Sequence, residues 1–202
     1  MKKISAVLML FFVTAIKAQS QISSSPFLNN TAFKAGYFGN LFSENGLNIG
    51  AEHLWKEKQK TKEKKKGNKT STRQLLFNGD LGYSTNFTTK ANNGLHTHFG
   101  LIWRKTNAKR WQRNLELNPL GYYRSFLPET FEVKEGEVSK IGLAGRNYFQ
   151  PSIAYGIGRH RKGNELSGWH LNLNLAFRIP HNAGFLPYIS LQFGYRYNFK
   201  KK

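Results

Sequence analysis

The chain has 202 residues, with 31 Lys and Arg against 11 Asp and Glu and a formal net charge of +20. That length accommodates one domain or two. Hydrophobic residues make up 39% of the chain and aromatic residues 14%, which excludes a wholly disordered basic tail. Cysteine is absent, so disulfide frameworks, thiolate metal sites and cysteine nucleophiles are excluded as well.

The first residues have the composition of an export signal. Lys2 and Lys3 precede an apolar run over 4–16, and the small residue Ala18 follows it. Thirteen apolar residues reach only about 20 Å at 1.5 Å per residue, which is too short to cross a bilayer as a helix. We therefore predict a cleaved signal peptide over 1–18, followed by a polar segment over 19–30. An exported chain without cysteine fits a bacterial envelope.

From residue 31 onward, apolar and polar residues alternate with a period of two, which predicts strands. The eight predicted strands are 33–42, 46–56, 74–87, 94–105, 111–125, 147–159, 168–180 and 186–199. A strand of about 12 residues spans roughly 40 Å, and a tilt near 40° reduces its height to about 30 Å, the thickness of a hydrocarbon core. The predicted fold is all-β: an up-and-down antiparallel transmembrane β-barrel over 31–199, with a basic tail at 200–202.

Alternation alone is equally typical of a soluble eight-stranded barrel. The polar face distinguishes the two, because a soluble barrel coats its outside with Lys and Glu. Here that face carries mainly small residues and amides, such as Ser84, Gly100 and Asn172, which fit a narrow interior. Its charged residues are few and of both signs, so we predict that they pair across a lumen. These residues are Asp80, Glu116, Arg124, Arg178 and Arg196.

Aromatic residues on the apolar face lie toward strand ends, as expected for a belt at the level of lipid headgroups. The predicted belt comprises Trp55, Trp103, Trp111, Trp169, Tyr195 and Tyr197, with Tyr83 and Tyr123 as further members. In overall plan and in its final Tyr195, Tyr197, Phe199 pattern, the sequence resembles the small eight-stranded outer-membrane barrel proteins of Gram-negative bacteria. The resemblance implies an outer-membrane location, contact with outer-membrane lipid, and recognition of Phe199 by the barrel-assembly machinery. In this chain three lysines follow Phe199.

The basic excess is predicted to lie at one end of the barrel, because alternate connections of a meander share an end. The end that holds both termini has fifteen Lys and Arg against three Glu, whereas the other end has four against five. The resemblance places the basic end in the periplasm. Its partner is expected to be an anionic lipid or cell-wall surface, or the loop is solvated and has none; no nucleic acid is expected. The basic loop comprises Lys58, Lys60, Lys62, Lys64, Lys65, Lys66 and Lys69.

No P-loop, H-E-x-x-H, G-x-S-x-G or calcium-loop pattern is present. His96 and His98 point the same way on a strand, so they are candidates to share a metal with His170, or to act as base beside Ser84 with Asp80 nearby. We expect them instead to be hydrogen-bonding lumen residues, with no metal and no cofactor. The predicted function is an envelope structural or interaction protein, and the long connection 126–146 is its candidate contact with an external ligand. The alternatives are an outer-membrane lipid-modifying enzyme and a secreted soluble barrel that binds a hydrophobic ligand.

Overall fold

The computed structural model describes residues 26–40, 44–62, 69–86, 93–128, 130–134, 137–142, 144–181 and 184–200. The predicted signal peptide over 1–18 and most of the segment 19–30 lie outside the described residues. A short helix, α1 (Pro26–Asn29), precedes the strands. The strands are β1 (Thr31–Gly39), β2 (Asn45–Lys62), β3 (Lys69–Thr85), β4 (Asn93–Asn107), β5 (Trp111–Phe126), β6 (Thr130–Lys134), β7 (Glu137–Ile141), β8 (Gly145–Phe149), β9 (Ser152–Arg161), β10 (Asn164–His181) and β11 (Gly184–Asn198).

Nine of the described strands are hydrogen-bonded into a closed ring with eight positions, because β8 and β9 share one position. Its order is β1, β2, β3, β4, β5, β9, β10, β11 and back to β1, and every pairing is antiparallel. β8 continues β9 across a break at Gln150 and Pro151, and both strands pair with β5 on one side and β10 on the other. The break falls at Pro151, which has no N–H for the ladder. The prediction of an all-β, antiparallel, up-and-down fold is therefore confirmed.

The register shows how far the strands tilt. One row of direct cross-strand partners starts on β2 and returns to β2 eleven positions away, through Lys58, Arg73, Lys105, Arg113, Ile157, Leu171, Phe193, Tyr37 and Leu47. A shift of eleven residues over eight strand spacings corresponds to a tilt of about 40° from the ring axis. We call the end where β1 begins and β11 ends the terminal end, and the opposite end the loop end.

The two faces of the ring have opposite chemistry. Along β10, Leu171 and Leu173 are 36% and 54% exposed on the outer face, whereas Asn172 and Asn174 are buried at 1% and 8% in the interior. The same alternation appears on β11, where Phe193 is exposed and Arg196 is buried. The predicted orientation, with apolar side chains outward and polar side chains inward, is confirmed.

β2 and β3 extend further than predicted. Their pairing continues from Lys56 opposite Leu75 to Lys62 opposite Lys69, so 57–62 and 69–73 form a hairpin rather than a loop. The β-branched threonines in these arms favour strand. The many lysines around them led the sequence analysis to predict a loop instead. β1 begins opposite His53, so the hairpin projects past β1 at the terminal end. Residues 63–68, which include Lys64, Lys65 and Lys66 of the predicted basic loop, lie outside the described residues.

A β-bulge on β5 changes which residues face the interior. Phe99 pairs with Leu120 and Leu101 pairs with Leu117, so two residues of β5 stand opposite Gly100. Beyond such a bulge the alternation of a strand shifts by one position. Tyr123 is consequently inside the ring at 2% exposure, and the half-buried Arg124 lies on the outer side. The predictions that placed Tyr123 in the belt and Arg124 in the lumen network are wrong for this reason.

The long connection 126–146 contains structure that the sequence analysis missed. β6 and β7 pair with each other as a separate antiparallel hairpin at the loop end. This hairpin exposes Phe131, Val133 and Val138 at 55% or more. The connection also includes the first two residues of β8, Gly145 and Arg146, so the ring strand starts earlier than predicted.

Candidate functional site

The interior of the ring holds a cluster of charged side chains centred on Glu52. This carboxylate is 1% exposed and meets cations from three other strands. Arg104 Nη2 lies 2.5 Å from Glu52 Oε2, Arg196 Nη1 lies 3.5 Å from the same oxygen, and Lys34 Nζ lies 4.0 Å from Oε1. Opposite charges at these distances offset the cost of removing each ion from water.

Lys34 connects this cluster to a second carboxylate. Its Nζ lies 2.9 Å from Asp80 Oδ2 and donates a hydrogen bond of 2.7 Å to Asn78 Oδ1. Asn78 in turn donates to Asp80 Oδ2 and to Asn118 Oδ1, each at 3.1 Å. The Asn78 amide thereby links the Lys34–Asp80 ion pair to Asn118, and these buried polar groups have the hydrogen-bond partners that burial demands.

Three cations and three carboxylates make up the lumen network, which we define as Lys34, Glu52, Asp80, Arg104, Glu116 and Arg196. Glu116 belongs to it through electrostatic attraction to Lys34 and Arg104. Its Oε1 accepts a hydrogen bond of 2.8 Å from Asn172 Nδ2. Arg196 also donates to Gln112 Oε1 at 2.6 Å, and Arg104 donates to Asn114 Oδ1 at 2.9 Å. The formal charges of the network sum to zero when all six groups are ionised, which suits an interior of low dielectric.

A second ion pair lies toward the loop end. Arg178 donates two hydrogen bonds to Glu44, at 3.0 and 2.8 Å, and a third to Gln150 Oε1 at 3.0 Å. Its guanidinium carbon lies 3.6 Å from the ring centroid of Tyr123 and 4.4 Å from that of Tyr188. Bidentate pairing and cation–π contacts together fix this side chain firmly.

The candidate catalytic residues are all buried in the ring. Asp80 pairs with His98 and Gly82 with His96 in the β3–β4 register, while Ser84 lies opposite Gly94 and is fully buried. The rings of His96 and His98 are 5.2 Å apart, and His98 Nε2 lies 3.2 Å from Gln150 Nε2. Among the described contacts, no hydrogen bond joins Ser84 to either histidine.

His170 is on β10, where it pairs with Gly158 and Gly194. Both of its ring nitrogens are buried without a hydrogen-bond partner in the described part of the chain. The described residues include no group of three or more His, Cys, Asp or Glu placed to hold a metal ion. Of the three candidate histidines, His96 and His98 are therefore neighbours on β4, whereas His170 is on β10.

Apolar side chains close the interior at the terminal end. Ala32, Leu76, Ile102 and Leu166 form a buried cluster there, each at most 7% exposed. Between this cluster and the loop end, a cavity beside Phe38 and the two neighbouring histidines has a volume of about 10 Å³, room for about one water molecule. A larger cleft of about 400 Å³ opens at the loop end, and the Glu44–Arg178 pair lies among the residues that line it.

Four of the five predicted network residues are inside the ring: Asp80, Glu116, Arg178 and Arg196. Arg124 is outside, where it donates to Asn147 Oδ1 at 3.2 Å. Sequence reasoning missed Lys34, Glu44, Glu52 and Arg104. Arg104 is in phase with His96 and His98 along β4, so the alternation of that strand already placed it on the inner face.

Six of the eight predicted belt residues lie on the outer wall at the terminal end. Trp55, Trp103, Trp111, Tyr195 and Tyr197 are 43–61% exposed, and the half-buried Trp169 makes an edge contact of 5.7 Å with Trp111. Phe199 packs its ring edge-on against Phe33 and Tyr197, at 5.7 and 4.8 Å. The loop end has a second group of exposed rings, which contains the predicted belt residue Tyr83 and four residues that the sequence analysis did not assemble: Tyr37, Tyr122, Phe149 and Phe185.

The two aromatic groups bound an apolar band of defined height. On β11 they are represented by Phe185 and Tyr195, ten residues apart. Ten residues rise about 33 Å along a strand, which becomes about 25 Å along the ring axis at a tilt of about 40°. The band between them is lined by Leu, Ile and Phe side chains such as Leu81, Ile153 and Leu173.

Comparisons of the chain with protein-family models and with curated proteins found no match. Within the described ranges, no helix is both long enough and apolar enough to cross a membrane. The distribution of side chains on the ring is therefore the basis on which function is argued.

Proposed function

We propose that the chain is an integral outer-membrane β-barrel with a side-chain-filled lumen, which acts as a structural or interaction protein of a Gram-negative envelope. One observation carries the proposal: a continuous apolar band surrounds the ring between two groups of exposed aromatic side chains, while charged and amide groups fill the interior. This distribution of apolar and polar side chains is the reverse of the distribution in a water-soluble protein, and it matches that of a barrel surrounded by lipid.

Energetics favour lipid as the surroundings of the band. The largest apolar patch on a typical soluble monomer is about 300–600 Å², and an isolated apolar side chain on a surface needs no explanation. Here every strand position of the ring contributes exposed apolar residues, for example Ile49, Leu117 and Phe193. Transfer of one such side chain from water to an apolar medium stabilises by about 1.5–3 kcal/mol, so many of them together favour insertion strongly.

A filled lumen argues against a diffusion pore. The charged network, the amide bridges and the apolar cluster at the terminal end occupy the interior from one end toward the other. Barrels of eight strands hold side chains rather than an aqueous channel. The β6–β7 hairpin, which exposes Phe131 and Val133 at the loop end, offers a surface for an external partner and supports a role in interaction.

The two alternative functions fit the geometry less well. A lipid-modifying enzyme requires its nucleophile to reach an acyl chain, yet Ser84 is fully buried and His98 is 6% exposed. Replacing His98 by Ala is expected to leave the lipid A profile of the cells unchanged, and an altered profile would favour the enzyme. A soluble carrier requires an apolar interior, which the described interior, with its buried ions and amides, does not provide.

Fractionation of expressing cells tests the proposal. We expect the protein to sediment with outer membranes, to resist release by high salt, and to be extracted by detergent. Sequencing of its amino terminus is expected to start at Gln19, after the predicted cleavage. Release by salt without detergent would contradict the membrane assignment.

A further inference from the structure

Four basic residues form a continuous row on the outer wall at the terminal end. Lys58, Arg73, Lys105 and Arg113 are direct cross-strand partners on β2, β3, β4 and β5. All four side chains are exposed. We call this set the cationic row.

Among the residues that the structure describes, the row has no acidic partner. None of its four residues forms an ion pair in the described part of the chain. Glu57 is adjacent in sequence but faces the opposite side of the hairpin, where it accepts a hydrogen bond of 2.8 Å from Gln74. Directly opposed residues on neighbouring strands have Cβ atoms about 4.5–5.5 Å apart, where like charges destabilise a sheet. An anionic partner outside the chain removes this repulsion.

The position of the row on the wall identifies the partner. Two residues further toward the loop end, the next outward row on β3, β4, β5 and β9 is apolar and consists of Leu75, Trp103, Leu115 and Tyr155. Arg159, which pairs directly with Trp111, lies 6.0 Å from the centroid of its ring. Along β4 the outward residues toward the loop end are a cation, an aromatic ring and an aliphatic side chain, Lys105, Trp103 and Leu101. A lipid presents its phosphate, glycerol region and acyl chain in the same order.

We infer that the cationic row binds the phosphate groups of anionic phospholipids in the leaflet at the terminal end. The inference rests on the proposed membrane insertion and adds the lipid class and its place. Because the strands tilt, the same register row rises toward the loop end and enters the apolar band at Ile157, Leu171 and Phe193. Nucleic acid is a poor fit, because the apolar row that adjoins the cations would then face water.

The four tryptophans make the inference directly measurable, because all of them lie at this end of the outer wall. The protein is refolded into vesicles of equimolar phosphatidylcholine and phosphatidylglycerol, in which one lipid at a time has brominated acyl chains. We expect brominated phosphatidylglycerol to quench tryptophan fluorescence at least about twofold more than brominated phosphatidylcholine, given attraction equivalent to about fivefold per basic residue near an anionic surface. The preference is expected to fall in high salt, where the Debye length shortens to about 3 Å at 1 M.

Two variants with equal loss of charge separate the row from overall basicity. Arg73→Gln, Lys105→Gln and Arg113→Gln together are expected to abolish the preference. The matched control replaces Arg124, Lys140 and Arg146 at the loop end by Gln and is expected to retain it.

Each other result has a defined meaning. Equal quenching by both lipids in the inserted wild-type protein would overturn the lipid site and leave the proposed function intact, as would loss of the preference in both variants. Failure to insert into either vesicle would refute the proposed function and the lipid site with it.

Discussion

Removing the carboxylate of Glu52 is expected to destabilise the protein more than any other single change in the lumen network. The Glu52→Ala variant leaves Arg104 and Arg196 buried beside each other, and Lys34 retains its ion pair with Asp80. An attraction at 4 Å amounts to about 4 kcal/mol at an effective dielectric constant of 20. Three contacts at 2.5–4.0 Å exceed the several kcal/mol that desolvation of the carboxylate costs. The expected loss is about 3–5 kcal/mol of unfolding free energy.

Urea unfolding of the vesicle-inserted protein, followed by tryptophan fluorescence, measures this loss. Asp80→Ala is the matched control, because Asp80 contacts one cation, and its expected loss is smaller, at about 1–3 kcal/mol. The double variant Glu52→Gln with Arg104→Gln removes one charge of each sign and is expected to be more stable than Glu52→Gln alone. A loss below about 1 kcal/mol for Glu52→Ala would refute the assignment of a dry, charge-balanced interior.

Three further substitutions test other parts of the ring. Arg178→Lys loses the bidentate pair with Glu44 and part of the cation–π contact with Tyr123, so it is expected to lower the free energy of unfolding by about 1–2 kcal/mol. An unchanged midpoint of thermal unfolding would contradict the assigned role of this ion pair. Leu173→Arg, in the middle of the apolar band, is expected to cost about 2–4 kcal/mol in vesicles, and a neutral effect would indicate that this wall faces water. At Gly82 an added Cβ would overlap the His96 ring, so Gly82→Val is expected to cost about 1–3 kcal/mol, with partial recovery in the double variant that also carries His96→Ala.

Alternation of residue types was sufficient to locate the ring strands. Successive side chains of a strand point to opposite faces, so apolar and polar residues alternate where one face meets apolar surroundings and the other meets a packed polar interior. Leu171, Asn172 and Leu173 follow this pattern. The bulge at Asn118 and Pro119 was not predictable in detail, because alternation does not report where one strand takes an extra residue against its partner.

The centre of the lumen network could not be found from local sequence. Glu52 meets Arg104 and Arg196 only after strands far apart in the chain close into the ring. Alternation assigns each of these residues to the inner face of its own strand, but which charges meet depends on the register of all the intervening pairs. The cationic row was hidden for the same reason, because its four members come from separate strands.

Spin labels on β10 test the central claim, that the apolar wall is surrounded by hydrocarbon, most directly. The chain has no cysteine, so Leu171, Asn172, Leu173 and Asn174 can each be replaced by a single labelled cysteine in the vesicle-inserted protein. At positions 171 and 173 the label is expected to collide mainly with oxygen, which concentrates in hydrocarbon, and at 172 and 174 with neither oxygen nor a water-soluble nickel complex. Strong collision with the nickel complex at 171 and 173 would contradict the account.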